Sequence, residues 1–258
     1  MTTKLKKVTR EVVERAQQAI GVSIRLLPDQ LVYTSTSEVG RSLLQPESEE
    51  VVLRYNPLFP SPDYAVAHQA IHIQRFLGTS EARYLIQTTK ATRARAFGSM
   101  GLELQQVSPV LADLWRNAFP ILLDGLLREL VNLPADPWIH RRLLLEHPRL
   151  QPEVRKGVRA VFGRAREALR SDLANATPPL VYRASNAMKA ASAYDLAEFL
   201  DEPALAEPYE RAGFPKLAST LNELNATDRG ASGDRETADA WARELDLVGW
   251  YEWRTVAR

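Results

Sequence analysis

The sequence predicts an α+β protein, with a small mixed β-sheet near the N-terminus packed on one helix and a mostly helical C-terminal half. Three observations lead there. Apolar residues at Val8, Val12, Val13, Ala16 and Ile20 recur at helical spacing and stop at Gly21. Short segments rich in Val, Ile, Tyr and Thr follow, VSIRLL (22–27), LVYTST (31–36) and VVLRY (51–55), bounded by Pro28-Asp29, Gly40 and Pro57. From Ser108 onward nearly every segment has a helical pattern. The expectation is about four strands, a loop over 43–50, and a helix over 64–77 ending at Gly78.

In the second half, Ser108-Pro109 and Asp136-Pro137 each set a capping side chain before a proline suited to a first turn. With Pro120 as an interruption, helices are expected over 109–118, 121–132, 137–147 and 151–174, then shorter ones. FGSMG (97–101) reads as a joint, residues 172–180 with Pro178-Pro179 as a linker, and 225–237 as a mobile loop from its Gly, Ser and charge content. This divides the chain into residues 1–150 and a helical region over 151–258.

Composition narrows the chemistry. The 258 residues carry 33 Lys and Arg against 32 Asp and Glu, so no strong field favours nucleic acid or a membrane. With no cysteine, disulfides, thiolate metal sites and a thiol nucleophile are excluded. No apolar run has the length of a membrane span, and the charged amphipathic N-terminus has no signal-peptide core, so a soluble cytoplasmic protein is expected. Gly-rich phosphate loops and the GxSxG elbow are missing. Charge is uneven: residues 137–170 sum to +6 and residues 195–247 to −8. Two solvated faces that attract each other account for this; a basic patch masked by an acidic segment is the sharper alternative. Trp241, Trp250 and Trp253 crowd the C-terminal end, either covering the core or offering a docking surface.

One constellation carries chemistry. His68 and His72 stand four apart in His68-Gln69-Ala70-Ile71-His72, which puts both imidazoles on one side of a helix, one turn apart. Two ring nitrogens so placed can reach one ion at about 2.0–2.1 Å. VVLRYNPLFPSPDYAVAHQAIHIQRFL resembles the strand-then-helix core of the zincin metallopeptidases, in which an edge strand leads through a loop into the HExxH helix. LLRELVNLPADPWIHRRLL resembles the downstream helix of small bacterial zincin-like members, with Asn132, Asp136 and His140 at the spacings of their polar positions. The resemblance spans roughly residues 8–150. It implies zinc held by His68 and His72, with Glu129 or Asp136 as the third ligand and Asn132, His140 and Arg75 around them.

Departures from the pattern shape the functional reading. Gln69 stands where the zincins have the glutamate that takes a proton from the metal-bound water, and an amide cannot do that. Arg75, on the same helical face, would set a positive charge near a bound cation. Pro134 and Pro137 interrupt the third-ligand segment, and Asp136 has a competing use as the cap of the helix starting at Pro137. His147, near a helix C-terminus, has a structural role with the helix dipole. The expected function is a degenerate zincin-like protein, non-catalytic, acting as a binding or regulatory module with a protein partner. The alternatives are an active atypical zinc-dependent peptidase using another carboxylate as base, or a metal-free interaction subunit working through the 137–170 and C-terminal segments.

Overall fold

The computed structural model describes residues 5–37, 50–79 and 82–256. The expected loop over 43–50 lies outside the described residues except for Glu50, which begins a strand. Helix α1 (Lys7–Ile20) buries Val12, Val13 and Ala16 and ends at Gly21, whose φ of 69° is the left-handed conformation that favours glycine. Strands β1 (Ser23–Pro28), β2 (Ser35–Ser37) and β3 (Glu50–Tyr55) form a three-stranded mixed sheet in the order β1-β3-β2. β1 runs parallel to β3, with Ile24 opposite Val51, and β2 runs antiparallel to it, with Thr36 opposite Arg54.

Helix α2 (Pro62–Leu77) follows β3 and carries the paired histidines. It starts two residues before the expected 64, because Ser61 caps it and Pro62 fits its first turn. Its alanines Ala65, Ala67 and Ala70 are fully buried, which brings α2 close to α1 and the sheet. Asp63, buried in the first turn, accepts the Lys6 backbone N–H at 2.7 Å and the Thr9 hydroxyl, locking α1 to α2. Gly157 makes room on the far side: a Cβ there would sit 2.1 Å from Cδ1 of Tyr64.

Four expectations change. LVYTST is a strand only at its end, because Tyr33 leaves the ladder to meet Phe59 edge-on at 5.8 Å and Arg164 at 4.1 Å, while Leu31 is 96% exposed. The strand leading into α2 is central in its sheet, flanked on both sides, where the zincin resemblance implied an edge. Pro120 does not split its helix. The face formed by Trp115, Phe119, Leu123, Leu126, Leu127 and Leu130 stays buried past it, and Pro120 faces solvent, where water can take the freed carbonyl. Finally, residues 225–237 are not a loop throughout: a helix begins at Gly230 and buries Gly233, Thr237 and Ala238.

A second sheet appears that the pattern of residues did not indicate. β4 (Arg83–Gln87) pairs antiparallel with β5 (Glu252–Val256), Ile86 opposite Trp253. Between them run α3 (Lys90–Ser99), α4 (Gly101–Gln106), α5 (Pro109–Asn132), α6 (Asp136–Glu146), α7 (Gln151–Ala165), α8 (Ser171–Ala176), α9 (Pro179–Leu200), α10 (Glu207–Arg211), α11 (Pro215–Leu224) and α12 (Gly230–Glu244). The class is therefore α+β, with small mixed sheets and a helical C-terminal half. Residues 172–180 are helical to Ala176, whose carbonyl accepts from Trp115 Nε1 at 2.8 Å, and the helices separate at Thr177 and Pro178. One contiguous core runs from α1 to Trp250. Trp241 and Trp250 are buried in it, so the C-terminal aromatics fold back onto the body. Among the described residues no helix is long and apolar enough to cross a membrane.

The basic and acidic stretches meet each other. Arg141 makes a bidentate pair with Asp195 at 2.7 and 2.8 Å, and Arg155 and Arg159 converge on Glu202 at 2.6 and 2.7 Å. These pairs orient α9 against α6 and α7. Isolated exposed pairs contribute little, but a carboxylate shared by two guanidinium groups gives directional, charge-assisted contacts.

Candidate metal centre

The site is built from one face of α2 and the start of α6. His68 and His72 project from consecutive turns, their rings 4.8 Å apart and nearly perpendicular. Asp136 reaches them from the first turn of α6. His72 Nε2 lies 2.8 Å from Asp136 Oδ1, which accepts from it. His68 Nε2 lies 3.3 Å from the same oxygen, but outside hydrogen-bonding geometry, and is a buried nitrogen with no hydrogen-bond partner. The ligand atoms of His68, His72 and Asp136 all lie within 4.8 Å of one another, and among the described residues they form the one such cluster.

Asp136 does not cap α6. The capping position is Ala135, no side-chain cap is made, and the Asp136 carboxylate turns to the histidines. Burial alone would push its pKa up. The imidazoles of His68 and His72 outweigh that and hold the carboxyl well below the usual carboxylate range. Burial in turn lowers the pKa of His68, with the charge of Asp136 working against the shift.

Beneath the cluster lies a second layer that fixes it. His140 is buried and lies against His68, the rings tilted by 38° with centroids 4.7 Å apart. Its Nδ1–H donates to the Asp136 carbonyl at 2.6 Å, and its Nε2 accepts from the Tyr64 hydroxyl at 2.9 Å, which sets the tautomer. Both nitrogens are therefore occupied, and His140 serves as a spacer. Burial, and then the neighbouring His68, lowers its pKa to about 3, so the ring is neutral. Burial also raises the Tyr64 pKa, keeping the hydroxyl a donor.

The other expected residues separate by role. Glu129 is not in the cluster: it accepts from Ser185 at 2.6 Å and pairs with Lys189 at 2.9 Å, facing α9. Arg75 does not present a free charge to the histidines. Its guanidinium is bidentate to Asp234 at 2.6 and 2.7 Å and also bonded to Asp228 at 2.6 Å. Gln69 and Asn132 line a cavity of about 360 Å³ that opens beside His72, between α2, the end of α5, β4 and the start of α12. Sequence reading missed β4, Arg83, Arg128 and Arg235 as parts of this wall. His147 is not in the cluster: it closes α6, and burial followed by the charge of Arg15 lowers its pKa.

The donor set fits a zinc-type ion. Two imidazole nitrogens and one carboxylate oxygen are donors that zinc accepts, and donors on a tetrahedral zinc at about 2.0–2.1 Å stand roughly 3.3 Å apart. The His–Asp spacings of 2.8 and 3.3 Å are close to that value. The partnerless His68 nitrogen is the second point of fit: a buried polar atom costs about 1–3 kcal/mol unless something satisfies it. No family model, no curated protein and no solved structure matches the chain.

Proposed function

We propose that this protein is a zincin-like metal-binding module in which His68, His72 and Asp136 hold zinc and which binds a protein or peptide partner without cleaving it. The observation that carries the reading is the convergence of three donors from two helices around a buried His68 nitrogen that has no other partner. Bound zinc would supply Lewis-acid polarisation of a carbonyl or water beside it. The chain's own residues supply position: Tyr64 and His140 fix the Asp136 backbone and the His68 ring from below.

Among the described residues, the carboxylates that could carry the proton of cleavage are already engaged. Gln69 occupies the position next to His68 and offers an amide, which hydrogen-bonds but does not take a proton. Asp234, the carboxylate on the described cavity wall, is held in two hydrogen bonds by Arg75, and Glu129 is committed to Lys189 and Ser185. These pairings also weigh against an atypical enzyme that uses a substitute base.

Metal content measured on protein purified without chelator tests the reading. Near-stoichiometric zinc in the wild type, lost in His72→Ala and Asp136→Asn, is expected. With zinc in place, Gln69→Glu should create peptide hydrolysis that the wild type lacks. Zinc absent from all three proteins would move the function to a metal-free interaction subunit. A wild type that hydrolyses peptides as fast as Gln69→Glu would establish an enzyme.

A further inference from the structure

The cavity beside His72 has a mixed lining. Ile73, Phe76, Val131 and Trp253 give it apolar lining, and Arg83, Arg128 and Arg235 line it as well. Arg75 also lines the space but is neutralised by Asp228 and Asp234. Arg235 lies 4.2 Å over the Tyr84 ring and shares Asp239 at 3.9 Å, beyond hydrogen-bonding distance. Arg83 donates through Nη2 to the Leu77 carbonyl at 2.7 Å, while its Nε is buried without a partner. Arg128 is exposed and has no carboxylate partner among the described residues. The cavity therefore presents Arg83 and Arg128, which no described carboxylate neutralises, next to residues suited to an apolar side chain.

β4 gives the wall a second property. Four consecutive residues, Arg83 to Ile86, line the cavity. Successive strand residues point to opposite faces, so a continuous run of this kind presents backbone as well as side chains. β4 is paired with β5 on one edge, and no described strand covers the other. An extended chain can meet that edge through main-chain hydrogen bonds, which supply affinity while side-chain pockets supply choice.

We propose that this cavity binds an extended acidic peptide, with a ligand carboxylate seated on Arg83 and Arg128 and an adjoining apolar side chain against Phe76 and Trp253. The inference deepens the binding-module reading by giving its partner a chemistry, but it stands on arginines that lie outside the metal cluster. The selective element is charge: a guanidinium–carboxylate contact is charge-assisted and directional, and it discriminates against an amide of the same shape.

Fluorescence anisotropy with a dye-labelled seven-residue peptide alternating leucine and glutamate tests this, beside its glutamine and lysine counterparts and free N-acetylglutamate. The glutamate peptide should bind about tenfold or more tighter than the glutamine peptide, and the lysine peptide should not bind. Arg128→Glu should remove the preference and Arg83→Gln reduce it, with circular dichroism unchanged. If Arg83→Gln unfolds, Arg128→Glu alone decides. The same titration on chelator-treated protein separates the two readings. A glutamate preference that survives without metal supports the acidic-peptide site even if the zinc assignment fails. Equal binding of all three peptides, or a preference untouched by Arg128→Glu, overturns the proposal and leaves the zinc site standing. N-acetylglutamate binding as tightly as the peptide overturns it in favour of a small acid.

Discussion

Replacing His140 by Gln should change the stability of the protein in a pH-dependent way, because the wild-type ring is buried and neutral. Its pKa falls from 6.5 to about 3, through burial first and then the neighbouring His68. Between those two values the unfolded chain binds a proton that the folded protein refuses, so the contribution of His140 to stability is complete above pH 6.5 and falls as the pH drops toward 3. At pH 5 this linkage removes about 2 kcal/mol, and about 5 kcal/mol once the pH lies below both values. Glutamine does not titrate and loses none of this. The variant also loses or alters the contacts with Tyr64 and the Asp136 carbonyl, a cost that does not come from titration of residue 140. Urea unfolding of wild type and variant at pH 7.5 and pH 5, with chelator present, isolates the term. The variant should be less stable at pH 7.5 and should regain about 2 kcal/mol on the wild type at pH 5. A stability difference that is equal at the two pH values to within about 0.5 kcal/mol would refute the buried neutral imidazole.

Two further predictions concern the supports of the site. Gly157→Ala places a Cβ 2.1 Å from the Tyr64 ring, too close for either helix to ignore. It should destabilise by about 1–3 kcal/mol in thermal unfolding and shift the NMR signals of His140 through the displaced Tyr64 hydroxyl, whereas an unchanged Tm would show that α7 moves away freely. A double-mutant cycle between Arg75→Met and Asp234→Asn should give a coupling of about 1–2 kcal/mol, since the pair is bidentate and partly buried. Additive effects would mean that the start of α12 is held by its apolar packing alone.

How much of this was legible in the sequence depends on how local the cause was. The His68–His72 spacing is a property of one helix, and α2 delivers it. Choosing Asp136 over Glu129 needed tertiary contacts: each sits near a helix end with a plausible charge, and only the approach of Lys189 and Ser185 from α9 removes Glu129. The proline after Asp136 suggested a cap, yet Ala135 takes that position and frees the carboxylate. Residues 225–237 read as a loop because their Gly, Ser and charge content opposes a helix. Arg75 supplies what the local sequence lacks, by holding Asp228 and Asp234 at the start of α12. β4 was not recognisable, since RYLIQ is only five residues long and its partner β5 lies at the opposite end of the described chain.

That pairing gives the site an order of assembly. The three-residue cluster draws on His68 and His72 of α2 and Asp136 of α6, all made well before β5. The cavity wall needs Trp253, and β4 has no described strand beside it until β5 arrives. A nascent chain, emerging from its N-terminus, thus passes through a stage in which the ligand cluster has its residues while the peptide-sized space beside it stands open on one side. The three-residue cluster and the cavity beside it are therefore completed at different stages of synthesis, the cavity only after β5 has been made.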